Sequence, residues 1–173
     1  GCDSSGSDPE ETGEEIMAPE GYRLVWNDEF EGFEVDTANW THWITGNPFN
    51  NELQYYTSRK LNSTVENGIL HIVAHEGSYT GPDGTRQYTS ARINTAGKVD
   101  FKYGRVDVRA QMPIGQGIWP AIWMLPTDNV YGGWPNSGEI DIMEYLGHQP
   151  SVVHGTLHHT RSNTASHDFA AVP

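Results

Sequence analysis

The sequence predicts an all-β protein, a β-sandwich or jelly roll, and three observations lead to it. Short apolar or alternating segments recur between turns rich in Gly, Pro, Asn and Asp, such as "GPDGT" (81–85) and "GGWPNSG" (132–138). No stretch carries the 3.6-residue apolar period of an amphipathic helix. Six Trp, eight Tyr and nineteen Gly among 173 residues supply aromatic plates and tight turns. An aromatic binding face and an aromatic core give that same composition.

The length suffices for one domain with a substantial core. Net charge is -13, but seven of the 23 acids and none of the 10 basic residues fall in residues 1–20. The remainder sets 16 acids against 10 bases, which lacks the basic footprint of a nucleic-acid binder and suits an uncharged substrate. No apolar run approaches the length of a membrane span, so the body is expected to be soluble. Cys2 is the only cysteine, which excludes an internal disulfide. "GC" followed by a Ser/Asp/Glu-rich run resembles the processed start of a bacterial lipoprotein, with a lipid on Cys2 and display on the outer membrane. A disordered leader with an incidental Cys reads the same way.

The composition changes near Gly21, so residues 1–20 are read as an acidic tether and 21–173 as the folded domain. "YRLVWNDEF" (22–30) opens that body. "GILHIVAHE" (68–76) is mostly apolar. "YGRVDVRAQMP" (103–113) alternates, with Val106, Val108, Ala110 and Met112 on one face and Arg105, Asp107, Arg109 and Gln111 on the other. "GIWPAIWMLP" (117–126), "GEIDIMEYLG" (138–147) and "SVVHGTLHHT" (151–160) complete the series.

The acids of "GEIDIMEYLG" carry the chemistry. On a helix, Glu139 and Glu144 would point roughly 140° apart. On a regular strand, Glu139 and Asp141 share a face while Glu144 turns into the core, where an unpaired charge is costly. A β-bulge, placed most simply at Met143, returns Glu144 to the face of the other two and leaves Ile140 and Ile142 on the core side. Mutual repulsion then raises the pKa of at least one acid. Carboxyls leaning inward from Cα atoms about 13 Å apart would reach about 5–7 Å, which spans the retaining and inverting ranges of glycoside hydrolysis. A Ca²⁺ site and a plain acidic strand face are the alternatives.

Aromatic neighbours favour a sugar cleft. Trp119 and Trp123 share a strand face, and Trp134 lies in the turn before Glu139. Taken singly, each is as readily a core residue. His154 and His158 lie on one strand face with His159 opposite; metal binding and substrate contact by His158 are the two readings. Arg92, in "YTSARINT", is read as bonding sugar hydroxyls or orienting Glu139, or else as a surface residue.

"GEIDIMEYLG" resembles the active-site signature of glycoside hydrolase family 16, in the form with an extra residue before the second Glu that is typical of laminarinase-like members. "LVWNDEF", "DTANW", "NNELQYYT", "NGILHIVA", "YTSARINTAGK", "YGRVDVRAQMPIGQGIWPAIWMLP" and "VHGTLHH" follow the family's order over residues 22–160. The resemblance implies a β-jelly-roll with a concave sugar-binding cleft and endo-hydrolysis of β-1,3- or mixed-linkage β-1,3-1,4-glucan with retained configuration. It implies Glu139 as nucleophile, Glu144 as general acid/base and Asp141 as the group that orients Glu139. Trp119, Trp123 and Trp134 would line glucose subsites, with Arg92 and His158 near the scissile bond and Asn51 on a sugar. No cofactor is implied; a structural Ca²⁺ would draw on Glu31 and the Gly68 carbonyl. A monomer is expected. Family domains run on past "VHGTLHH", so the chain is read as the first part of such a domain. Two other functions fit: a non-catalytic cell-surface glycan-binding protein using the same cleft, and a Ca²⁺-dependent adhesion module.

Overall fold

The computed structural model describes residues 16–160 and 162–170, the latter by backbone alone. The acidic run up to residue 15, with Cys2, lies outside the described residues. Among the described residues every regular element is a strand. They fall into two compact units, one within residues 16–36 and 43–92, the other within residues 37–42 and 93–170.

In the first unit, β2 (Gln54–Tyr56), β3 (Ser63–Glu66), β4 (Ile69–Ile72), β5 (His75–Gly81) and β6 (Gly84–Ser90) form two sheets. β3 and β4 make a hairpin whose turn residues, Asn67 and Gly68, have φ of 53° and 72°. An Asn-Gly pair is the sequence best suited to such a turn, because both central residues need positive φ. β5 and β6 pair antiparallel, and β2 joins β6 in parallel.

The interior of this unit is unusually polar. Tyr55 is buried edge-on against Tyr79, with ring centroids 4.9 Å apart. Beside it Asn62, with no exposed surface, uses both ends of its amide. Its Nδ2 donates to the Val73 carbonyl at 3.0 Å and to Thr89 Oγ1 at 3.0 Å. Its Oδ1 accepts from Thr57 Oγ1 at 2.6 Å and from Arg59 at 3.2 Å. Buried polar groups are tolerated because each is paired. Asn62→Leu removes the shared partner: the Val73 carbonyl loses the amide N–H and the Thr57 hydroxyl loses its acceptor, while Arg59 still donates to Thr57 and Thr89. It is expected to cost about 2–4 kcal/mol of unfolding free energy, read from urea denaturation midpoints.

In the second unit, β1 (Thr41–His42) pairs with β7 (Ile93–Asn94). The larger sheet is antiparallel, in the order β11 (Ser162–Ala170), β10 (Val152–His159), β9 (Glu139–Glu144), β8 (Ala121–Met124). Its two central strands are the segments that carry the acids and histidines.

Three expectations are corrected. Residues 103–113 form no strand, and every residue from 101 to 111 is exposed, Val106 and Val108 included. Alternation only states where side chains would point; a strand also needs a ladder partner, and none lies beside this segment among the described residues. "GILHIVAHE" is split at Val73–Ala74 between β4 and β5. Ile140 does lie opposite the acids, yet it is 44% exposed, as Leu157 beside it is 47% exposed.

Candidate active site

β9 carries the expected bulge, one residue earlier on one side. Against β10, His154 pairs with Glu144 and Thr156 with Asp141, so two β9 residues stand opposite Gly155 alone. Against β8, Ile122 still pairs with Met143, and the residue skipped is Ile142. The bulge spans Ile142–Met143 and has the predicted effect. Glu139, Asp141 and Glu144 share one face with their cross-strand neighbours Trp123, Thr156, His158 and His154.

Each glutamate receives an indole N–H. Trp134 Nε1 donates to Glu139 Oε2 at 2.6 Å, and Trp119 Nε1 donates to Glu144 Oε1 at 3.1 Å. Both rings remain well exposed, Trp119 by 45% and Trp134 by 63%, so neither is core filling. Two backbone features set them there. The 129–138 loop is knit by turns, with Ser137 Oγ bonding the Gly132 carbonyl and the Tyr131 amide. Beyond β8, the bonds Tyr145 N to Pro120 O (3.1 Å) and Gly147 N to Ile118 O (2.9 Å) prolong the ladder and bring Trp119 alongside Glu144. Gly147 is required for this approach, because a Cβ there would run into the Gly115 carbonyl.

Asp141 is 5% exposed between the glutamates. Its Oδ2 lies 3.0 Å from His158 Nε2, and the His158 ring packs on Trp134 with centroids 5.7 Å apart. Carboxylate and imidazole atoms of Glu139, Asp141 and His158 come within 4.8 Å of one another. Burial foremost, then the charges of Glu139 and Glu144, push the Asp141 carboxyl up to about 6, with His158 opposing. One acid of the three is thus raised, as the repulsion argument requires.

This shift has a sign in stability. A carboxyl near 6 in the fold and about 3.9 in the unfolded chain binds more protons folded than unfolded between those values. Stability therefore falls as pH rises from about 4 to about 6 and levels off above. Asp141→Asn, neutral throughout, is expected to flatten that slope in melting temperatures measured from pH 4 to 7.

Four further candidates remain: Arg92, Asn51, His154 and Glu31. Arg92 belongs to the first unit, where its guanidinium covers Trp43 at 4.2 Å from the ring centre. Asn51 is in the same unit, exposed in a turn with φ 58°. His154 bonds Gln149 Oε1 at 3.0 Å while His158 faces Asp141, so the two histidines serve different neighbours rather than one metal. Glu31 is exposed, and no group of three acidic, Cys or His side chains gathers around it among the described residues. Sequence reasoning missed Thr156, whose Oγ1 lies 3.4 Å from Glu144 Oε2. Its place midway between His154 and His158 on a period of two was the available signal.

The chain is similar to known proteins over most of its length. Residues 47–171 match the family model described as "XgeA-like, catalytic GH16 domain". The chain belongs to glycoside hydrolase family 16. It is 46% identical over 163 residues to a beta-glucanase of Rhodothermus marinus, covering 91% of this chain and 54% of that protein. To glucan endo-1,3-beta-glucosidase A1 of Niallia circulans it is 48% identical over 151 residues, covering 80% and 22%. The X-ray structure of the laminarinase from Rhodothermus marinus superposes with a TM-score of 0.80 at 44% identity, over 86% of this chain and 61% of that one. The chain thus spans about half the length of the first of these relatives and less of the second. The all-β architecture is that of the family's jelly roll, with the sheets not closed.

Proposed function

We propose that the protein is an endo-acting retaining β-glucanase that hydrolyses β-1,3- or mixed-linkage β-1,3-1,4-glucan. One observation carries the reading: the bulged β9 sets Glu139 and Glu144 on one face, each bonded by an exposed Trp, with a protonatable Asp between them.

Glu139 attacks the anomeric carbon as the glycosidic C–O bond breaks, and Glu144 gives its proton to the departing oxygen. A covalent glycosyl–Glu139 ester results. Glu144, now a carboxylate, takes a proton from water, which attacks the same carbon and frees Glu139 with configuration retained. Asp141 stays protonated up to about pH 6, so it limits negative charge beside the nucleophile and can hydrogen-bond to it. Trp134, Trp119 and Trp123 offer ring faces to the C–H surfaces of glucose, and His158 and Asp141 hold one another in place. Arg92 and Asn51 are assigned to sugar hydroxyls by resemblance. The chemistry needs no cofactor. The named activities of the relatives, a beta-glucanase and a glucan endo-1,3-beta-glucosidase, support the substrate class.

Digestion of laminarin and of barley β-glucan, with product linkages compared, tests the reading. Internal cleavage of either polymer with β-configured reducing ends is expected. Tight glucan binding without hydrolysis would make the protein a glycan-binding module instead, and no action on either glucan would overturn the substrate class. We further propose that a monomer is anchored to the cell surface through lipid on Cys2; mass spectrometry of the N-terminal peptide from the native membrane tests the lipid.

A further inference from the structure

Trp134 holds its 2.6 Å bond to Glu139 Oε2 although the residue is 63% exposed. An exposed donor can exchange such a bond for one to water at little cost, so the bond lasts only where the indole is held in place. The His158 ring packs against it, with centroids 5.7 Å apart. The rest of the restraint has to come from the loop that carries it.

That loop has a mobile composition. Gly132, Gly133 and Gly138 lie in it, and glycine has more backbone freedom than any other residue. Three short turns fold it, closed by Gly132 N to Asn129 O, Asn136 N to Gly133 O and Gly138 N to Pro135 O. Each turn spans only three steps along the chain. The Ser137 hydroxyl reaches further. Its Oγ donates to the Gly132 carbonyl at 2.7 Å and accepts from the Tyr131 amide at 3.1 Å. These two bonds join the first turn to the residues leading into β9, and Trp134 sits inside the ring that they close. Ser137 is half-buried and stands two residues before Glu139, so both partners of the indole–carboxylate bond are anchored on one short stretch.

Resting on the glucanase reading, we infer that Ser137 is a positioning residue for the nucleophile: its hydroxyl closes the 131–137 ring that keeps the Trp134 indole on Glu139. The indole in turn limits rotation of the Glu139 carboxylate. Displacing a reacting atom by about 1 Å can cost about 10²-fold in rate, so the hydroxyl matters to turnover without touching the sugar.

Four purified proteins test this: the unaltered chain, Ser137→Ala, Trp134→Phe and the double variant. Ser137→Ala is expected to lower kcat/KM on laminarin about tenfold or more. Trp134→Phe keeps a ring, removes the N–H and should fall at least as far. Adding Ser137→Ala to it should cost less than about threefold more, because residues acting through one bond are not additive. NMR of the indole N–H groups gives a readout that needs no turnover. The Trp134 signal, identified by its loss in Trp134→Phe, should move in Ser137→Ala toward its position in Glu139→Ala, while the other five of the six Trp stay in place. An unchanged kcat/KM in Ser137→Ala, losses that multiply in the double variant, or an unmoved Trp134 signal would each overturn the inference. Collapse of all six signals in Ser137→Ala would make the role one of folding and overturn it too. If the unaltered protein leaves laminarin uncut, the glucanase reading has failed, and the NMR comparison alone decides whether Ser137 positions Trp134.

Discussion

Glu139→Ala is expected to lower kcat on laminarin by on the order of 10⁴-fold, about 5.5 kcal/mol of lost transition-state stabilisation. The variant is expected to keep the fold, because Glu139 is only partly buried and Trp134, which donates to it, stays largely in water. The stereochemistry of rescue identifies the role. With β-laminaribiosyl fluoride and azide, the anion enters the space the carboxylate vacated and displaces fluoride from the opposite face. The product is an α-glycosyl azide, inverted relative to the substrate. A β-azide, or normal hydrolysis without azide, would show that Glu139 is not the nucleophile.

Glu144→Ala gives the complementary result. Loss of a general acid costs typically 10²–10⁴ in rate, so laminarin turnover should fall by about that factor. Fluoride needs no proton to leave, so its release should begin with a burst as the glycosyl ester accumulates. Azide then attacks the ester without base assistance and yields a β-glycosyl azide, retained overall. Opposite azide configurations from the two variants would assign both glutamates. The same configuration from both would make the assignment wrong.

Much of the site was legible before any coordinates. The spacing 139, 141, 144 is incompatible with one face of a regular strand, and a buried lone carboxylate is costly enough to force a bulge. The shared face of Trp119 and Trp123 and that of His154 and His158 follow from a period of two. Those inferences are local: each depends on the pleat and on the cost of burying charge.

The errors share a cause as well. Residues 103–113 alternate well and still form no strand, because a strand is completed by hydrogen bonds to a partner remote in sequence. The bulge was placed at Met143, whereas β8 skips Ile142, since the extra residue is decided by which neighbour's amides and carbonyls align. Nothing in "GGWPNSG" says that the Trp134 indole reaches Glu139, nor does "GIWPAIW" say that Trp119 reaches Glu144. Those bonds depend on the turn-knit 129–138 loop and on the Gly115–Gly147 approach.

By itself, the amino-acid sequence determined the strand-rich architecture, the family and the three acids on one face, because alternation and charge burial are short-range constraints. The tertiary structure alone decided which indole holds which glutamate, and that His158 faces Asp141 while His154 faces Gln149. Each of these brings a strand side chain against one from a second strand or from a loop, and it takes the sheet's register and the turns beside it to place them.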